Sequence, residues 1–315
     1  MYILGFDIGG TKCAVITARY DGDTITLLKK AVLPTDHTVS AYEMIDRLTE
    51  AADGLLEHKP DKIGVSCGGP LDSQKGLIMS PPNLPMWDNI EIVKKLNEHY
   101  GAPTKLQNDA NACAVAEWLF GAGVGCDNMV FMTFGTGIGA GLILNGKLYE
   151  GTNGMAGEVG HIRLADDGPV GYRKEGSFEG FCSGGGIAQL GYLEAKKSID
   201  KGVYPLYFNE GDDPKNITAK SIAMAAEKGD PVACEVYRLS GKYLGRGISI
   251  LIDILNPEKI VIGGIFARSG QLLIESMQKE IEKEALSNSV DCCTIVSAKL
   301  GEEIGDYSAI ATAIL

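Results

Sequence analysis

The chain has 315 residues, 45% of them hydrophobic and 22% charged, and a net charge of −12. That length is enough for two domain cores, and an acidic chain without a Lys/Arg-rich run argues against a nucleic-acid partner, whose phosphates must be neutralised. No apolar run approaches membrane-spanning length, the start has no charged leader with a cleavage site, and the eight cysteines show no C-x-x-C spacing. The expected setting is reducing and cytoplasmic, with no membrane contact.

Residues 2–8 are apolar and partly β-branched, residues 12–19 alternate back to a similar pattern, and Gly9-Gly10 lies between them. This predicts a strand, a Gly-Gly turn and a second strand, since glycine enters φ > 0 turn conformations without strain. A bare hairpin does not need Asp7 before the turn or Thr11 and Lys12 after it. Together they offer a carboxylate to a hydrated metal, a hydroxyl and an ammonium to phosphate oxygens, and amides that a phosphate can approach. A plain tight turn is the competing reading. A third strand follows at 24–32, then a helix at 40–57 and a buried strand at 62–66 that opens into Cys67-Gly68-Gly69-Pro70. A helix at 90–100 and a strand at 104–107 lead to an Ala-rich helix starting at Asn108 or Asp109.

Residues 129–144 repeat the opening design: an apolar strand, the turn Gly135-Thr136-Gly137, and a second apolar strand that runs into Asn145-Gly146. No helix follows these glycines, so this is no dinucleotide fingerprint, and G-x-x-x-x-G-K-[ST] is absent from the sequence. A Gly-rich, charged region covers 151–186, followed by helices near 186–198, 219–228 and 231–255. The strand 259–262 enters Gly263-Gly264. Helices at 269–284 and 304–314 complete the chain, the last helped by Asp306 near its start. Two Gly/Thr hairpins heading two halves suggest paired α/β domains facing each other across a nucleotide. The expected division is 1–113, with the helix at 304–315 packed back on it, and 114–303.

Five stretches, in order along nearly the whole chain, resemble the ROK family of repressors and sugar kinases: 7–12, 68–70, 108–117, 135–141 with 158–161, and 263–264. The resemblance implies an α/β fold of two ribonuclease-H-like (actin-like ATPase) domains facing each other across a nucleotide and sugar cleft. It implies ATP-dependent phosphorylation of a hexose hydroxyl, with Mg²⁺ and in a homodimer. Glucose at its 6-position leads; N-acetylmannosamine or fructose, or a non-catalytic sugar-sensing role, are the alternatives. DNA-binding relatives place a helix-turn-helix before the first hairpin, and only six residues precede Asp7 here, so a kinase is expected.

Such a transfer needs an aligned acceptor oxygen, neutralised phosphate charge and a base for the hydroxyl proton. The family's base falls on Asp109, which the helix dipole is expected to hold ionised; a mere N-cap is the bland alternative. By the same resemblance Asp7 orients Mg²⁺ through water, and Gly9, Gly10, Thr11, Lys12, Gly135, Thr136 and Gly137 cradle the phosphates. Gly263 and Gly264 lie along the adenosine, although a close strand-to-helix turn explains them equally well. Asn83, Asn108, Asp109, Glu158, His161 and Glu179 are the implied sugar contacts. Many relatives also hold a structural zinc with the motif's His and three Cys in C-x-C-G-x-x-G-C-x-E. Here Gly171, Arg173 and Ser177 stand in those places, so no zinc is expected. Cys67-Gly68 is a milder departure from the family's apolar-Pro-Gly pattern.

Overall fold

The computed structural model describes residues 1–209 and 211–315. The chain opens with β1 (Tyr2–Ile8), β2 (Lys12–Tyr20) and β3 (Ile25–Pro34), followed by α1 (Ala41–Leu55) and β4 (Lys62–Cys67). A small hairpin, β5 (Leu71–Asp72) and β6 (Leu77–Ile78), precedes α2 (Ile92–Tyr100), β7 (Thr104–Asn108) and α3 (Asp109–Phe120). The second half starts with β8 (Met129–Phe134), β9 (Ile138–Leu144) and β10 (Lys147–Tyr149), then the hairpin β11 (Val170–Gly171) and β12 (Lys174–Glu175). Helices α4 (Phe178–Phe181), α5 (Gly184–Ile199), α6 (Ala219–Glu227) and α7 (Pro231–Leu255) come next. The chain ends with β13 (Lys259–Ile262), α8 (Ile265–Ser269), α9 (Ile274–Glu284), α10 (Ser287–Val290), β14 (Thr294–Ser297) and α11 (Ile304–Ile314).

Two compact units share these elements. The first comprises Met1–Asp127, Gly141–Ala156 and Lys299–Leu315; the second comprises Asn128–Ala140 and Gly157–Ala298. The first unit's sheet runs β3-β2-β1-β4-β7. Its first three strands are antiparallel, and β4 and β7 continue parallel to β1. The period of two in β1 sorts its side chains: Leu4, Phe6 and Ile8 enter one core with α1 and α2, while Ile3 enters another with Ala309 and Ile310 of α11. Gly64 lets α11 lie directly on the sheet, since a Cβ there would stand 2.0 Å from the carbonyl oxygen of Ala309.

The second half's strands run in the same relative order, β10-β9-β8-β13-β14, with β8, β13 and β14 parallel. This duplication matches the two-hairpin reading of the sequence. Asn145 and Gly146 both have positive φ, 53° and 67°, as the two-residue turn between β9 and β10 requires.

Helix signals were read well where caps and periodicity agree. Ser40 caps α1 by accepting from the Glu43 amide at 3.2 Å, and Asp230 caps α7 ahead of Pro231. The helix expected over 269–284 is interrupted: α8 starts earlier, at Ile265, and a 3₁₀ turn over Gly270–Leu272 separates it from α9. Glycine weakens a helix interior, and periodicity alone does not register that break. Gly9 and Gly10 also differ from expectation, because neither has a positive φ. Their small size has another cause, described next.

Candidate functional site

In the first unit the residues of the opening motif gather around two strand ends. Asp7 closes β1 beside Ser66 of β4, and a Cβ on Gly305 would stand 2.6 Å from its Oδ2, so the start of α11 abuts this carboxylate. Burial first, then the charges of Asp306 and Asp109, raise the Asp7 carboxyl to about 6, against the partial opposition of Lys30 and Lys12. Lys30 is committed to Asp306 at 2.7 Å. Three carboxylates therefore share a neighbourhood, although among the described residues no group of three or more Asp, Glu, His or Cys side chains is arranged to hold a metal ion directly. Thr11 and Lys12 are exposed at the turn. A Cβ on Gly10 would stand 2.5 Å from the backbone oxygen of Asn83, so Gly10 is small because Asn83 packs on it.

Asp109 occupies the first position of α3, and the capping is done by its neighbour: Asn108 Oδ1 accepts from the Ala110 amide at 3.0 Å. This leaves Asp109 as more than a cap, although its own Oδ1 also accepts from that amide at 2.8 Å. Solvent reaches the carboxylate, yet protein atoms crowd it closely enough that desolvation raises its pKa, outweighing the lowering effect of the amide bonds. The segment Gly68-Gly69-Pro70 faces the same place. Cβ positions on Gly68 and Gly69 would lie 3.9 Å from Asp109 Oδ2 and 3.0 Å from Asn108 Nδ2.

In the second unit Gly135-Thr136-Gly137 forms the turn between β8 and β9, closed by Gly135 N–H donating to the Gly137 carbonyl at 3.0 Å. The Gly135 carbonyl accepts from Gly184 N–H at 2.8 Å, which ties the turn to the N-terminus of α5. Glu179 sits on the other side: its Oε2 accepts from the Ile138 amide at 3.2 Å, and a Cβ on Gly137 would meet that oxygen at 2.5 Å. Glu158 and His161 bracket a 3₁₀ turn, where residues three apart fall on one side. Both are exposed, and Tyr172 packs its edge against the His161 ring at 5.5 Å.

A cavity of about 880 Å³ opens beside Gly135 and Thr136. One wall is apolar, from Ile217, Ala219, Ala223, Met224 and Ile265, and Gly184 and Gly185 of α5 complete it next to the turn. Its volume lies within the range of small-molecule sites. Gly263 and Gly264 do not themselves line it; the helix they start does, through Ile265, Arg268 and Ser269. Gly264 has φ +67°, and a Cβ there would stand 2.2 Å from the Phe134 carbonyl, so it serves a close strand-to-helix turn. The contributions of α5 and α6 were missed in the sequence reading. The run Ser183-Gly184-Gly185-Gly186 before a helix was the available signal.

The 168–180 loop is held by protein hydrogen bonds. Gln189 both accepts from the Val170 amide and donates to its carbonyl, at 3.0 and 2.9 Å, and Lys174 Nζ donates to the His161 carbonyl at 2.6 Å. Buried Ser177 caps α4 by accepting from the Gly180 amide at 3.1 Å. A Cβ on Gly171 would be 2.6 Å from Gly180 N, so this loop has no room there for a thiolate, and Arg173 and Ser177 offer none. Such a donor set does not fit the family's zinc ion.

Among the described residues no helix is long and apolar enough to cross a membrane. The family model described as ROK family matches residues 3–314. The chain is 30% identical to a glucokinase from Streptomyces coelicolor over 305 residues, covering 96% of this chain and 94% of the relative. It is also 30% identical to the DNA-binding transcriptional dual regulator NagC of Escherichia coli over 315 residues, covering 94% of this chain and 74% of that one. The crystal structure of a ROK family glucokinase from Streptomyces griseus in complex with glucose and AMPPNP matches with a TM-score of 0.78 at 29% identity, covering 100% of this chain and 99% of that one. With the duplicated sheet and both glycine turns accounted for, the chain belongs to the ROK family.

Proposed function

We propose that this ATP-dependent sugar kinase transfers the γ-phosphoryl group to a hexose hydroxyl, with glucose at its 6-position as the leading acceptor. The observation that carries this reading is the placement of Asp109. It starts α3 without having to cap it, is an exposed residue, and has a pKa raised by desolvation of its carboxylate. As the acceptor oxygen attacks the γ-phosphorus, the bond to ADP breaks and Asp109 takes the hydroxyl proton. Asn83, Asn108, Glu158, His161 and Glu179 bind the sugar's remaining hydroxyls. The Gly9–Lys12 and Gly135–Gly137 turns cradle the phosphates, and the base rests in the apolar cavity lined by Met224 and Ile265. Asp7 would hold Mg²⁺, which would supply positive charge to the phosphate oxygens. The similarity to glucokinases supports glucose first, with N-acetylmannosamine and fructose next. The similarity to NagC supports a non-catalytic, sugar-sensing alternative.

The test is ADP release from Mg-ATP with glucose, mannose, fructose, allose, N-acetylglucosamine and N-acetylmannosamine, for wild type and Asp109→Asn. Sugar-dependent turnover that the variant loses is the expected result. Turnover kept by Asp109→Asn removes the base assignment, and no turnover with any sugar favours the sensing role. Assembly as a homodimer belongs to the same proposal and is checked by sedimentation.

A further inference from the structure

Glu150, just beyond β10, is the meeting point of a side-chain network that none of the site assignments uses. Its Oε1 accepts from Ser73 Oγ at 2.9 Å and from Gln107 Nε2 at 3.0 Å. Gln107 is 4% exposed and immediately precedes Asn108 and Asp109. Its Oε1 accepts from the Asn108 amide at 2.8 Å and from Asn111 Nδ2 at 3.2 Å, so this one amide spans β7 and the first turn of α3. Ser73 lies in the turn between β5 and β6, downstream of Gly69, whose Cβ position is 3.0 Å from Asn108 Nδ2. The segment 69–73 is thus pressed on Asn108 at one end and tied to Glu150 at the other.

An apolar side chain at 107 would keep strand and helix together without this arrangement, since a buried amide stabilises only when its groups are satisfied. Asn111 Oδ1 is left without a partner, but the four bonds that converge on Glu150 Oε1 and Gln107 Oε1 restrict those two side chains and the groups they hold to one geometry. What this network restricts is the backbone that presents Asp109. We propose that Glu150 and Gln107 are positioning residues for Asp109, clamping the start of α3 and the 69–73 segment in the arrangement that proton abstraction needs. The proposal rests on Asp109 being the base.

The experiment compares Glu150→Ala, Glu150→Gln and Ser73→Ala in the full chain, measuring kcat and the KM for Mg-ATP with the panel sugar of highest turnover. Glu150→Ala is expected to lower kcat by roughly tenfold to a hundredfold, the factor that a displacement of about 1 Å costs, while the KM for Mg-ATP stays within about twofold. Glu150→Gln keeps an oxygen able to accept both donors and is expected to recover most of the loss. Ser73→Ala, which removes one donor and no charge, is expected to give a smaller fall and carries the test if Glu150→Ala does not fold. Wild-type kcat in Glu150→Ala, or equal loss in the Ala and Gln variants, overturns the clamp. Were Asp109→Asn to turn over normally, the base reading would fail instead, whatever Glu150 does.

Discussion

The turns after β1 and β8 are built from similar sequence and solve the same packing problem, yet they face different chemistry. Each contains a glycine whose Cβ would collide with a polar residue from elsewhere in its own unit: Asn83 at Gly10, Glu179 at Gly137. Both partners are among the proposed sugar contacts, so in each unit a proposed phosphate turn is seated directly on a proposed sugar contact. Around the first turn lie Asp7, Asp109 and Asp306, and burial together with the repulsion of its two neighbours raises Asp7 to about 6. Beside the second lies an apolar cavity of about 880 Å³ with the start of α5 at its edge. The two halves therefore share the turn while its surroundings differ, a carboxylate cluster in the first unit and an apolar cavity in the second.

The largest effect that would sharpen this contrast is on turnover. Asp109→Asn is expected to lower kcat by about 10²- to 10⁴-fold, the usual contribution of a general base, while AMPPNP affinity measured by calorimetry stays unchanged. A parallel loss of nucleotide affinity would break the division of labour. Next in size is a pH effect confined to the first turn. Folding raises the Asp7 carboxyl from 3.8 to about 6, so the folded chain holds that proton more tightly than the unfolded one. Its contribution to stability must decline as pH rises through that window, by roughly 3 kcal/mol overall. Asp7→Asn should accordingly melt higher than wild type at pH 8 without Mg²⁺ or nucleotide, and at the same temperature near pH 3.5. A variant that melts lower at pH 8 would show that the Asp7 carboxylate is stabilised by partners rather than destabilised by burial and repulsion.

The smallest effects compare the two glycines directly. In Gly10→Ala the new Cβ meets the Asn83 backbone oxygen at 2.5 Å and Asn83 Cβ at 2.6 Å, which the loop must move to relieve. Overpacking of this kind costs about 1 to 3 kcal/mol in urea unfolding. In Gly137→Ala the clash is with Glu179 Oε2 at 2.5 Å, the end of a rotatable side chain, so a loss below about 1 kcal/mol is expected. Equal losses in the two variants would mean that Glu179 is as firmly fixed as a backbone.

The two sheets, the two turns and most long helices could be read from the sequence because they depend on local pattern: β-strand alternation, Asn-Gly and Gly-Gly turns, and caps such as Ser40 and Asp230. The resemblance that singled out Asp7, Asp109 and the Glu158/His161 pair depends on residue order, which the chain displays directly. Side-chain partnership between distant segments was not legible. Nothing local shows that Gly10 makes room for Asn83, that Glu179 engages the Ile138 amide, or that Gln189 fastens the 168–180 loop, because each partner arrives from a different element. The environment of the base was hidden for the same reason. Sequence predicts the amide bonds that act on Asp109 from its own helix start, while the desolvation that outweighs those bonds comes from protein folded around it.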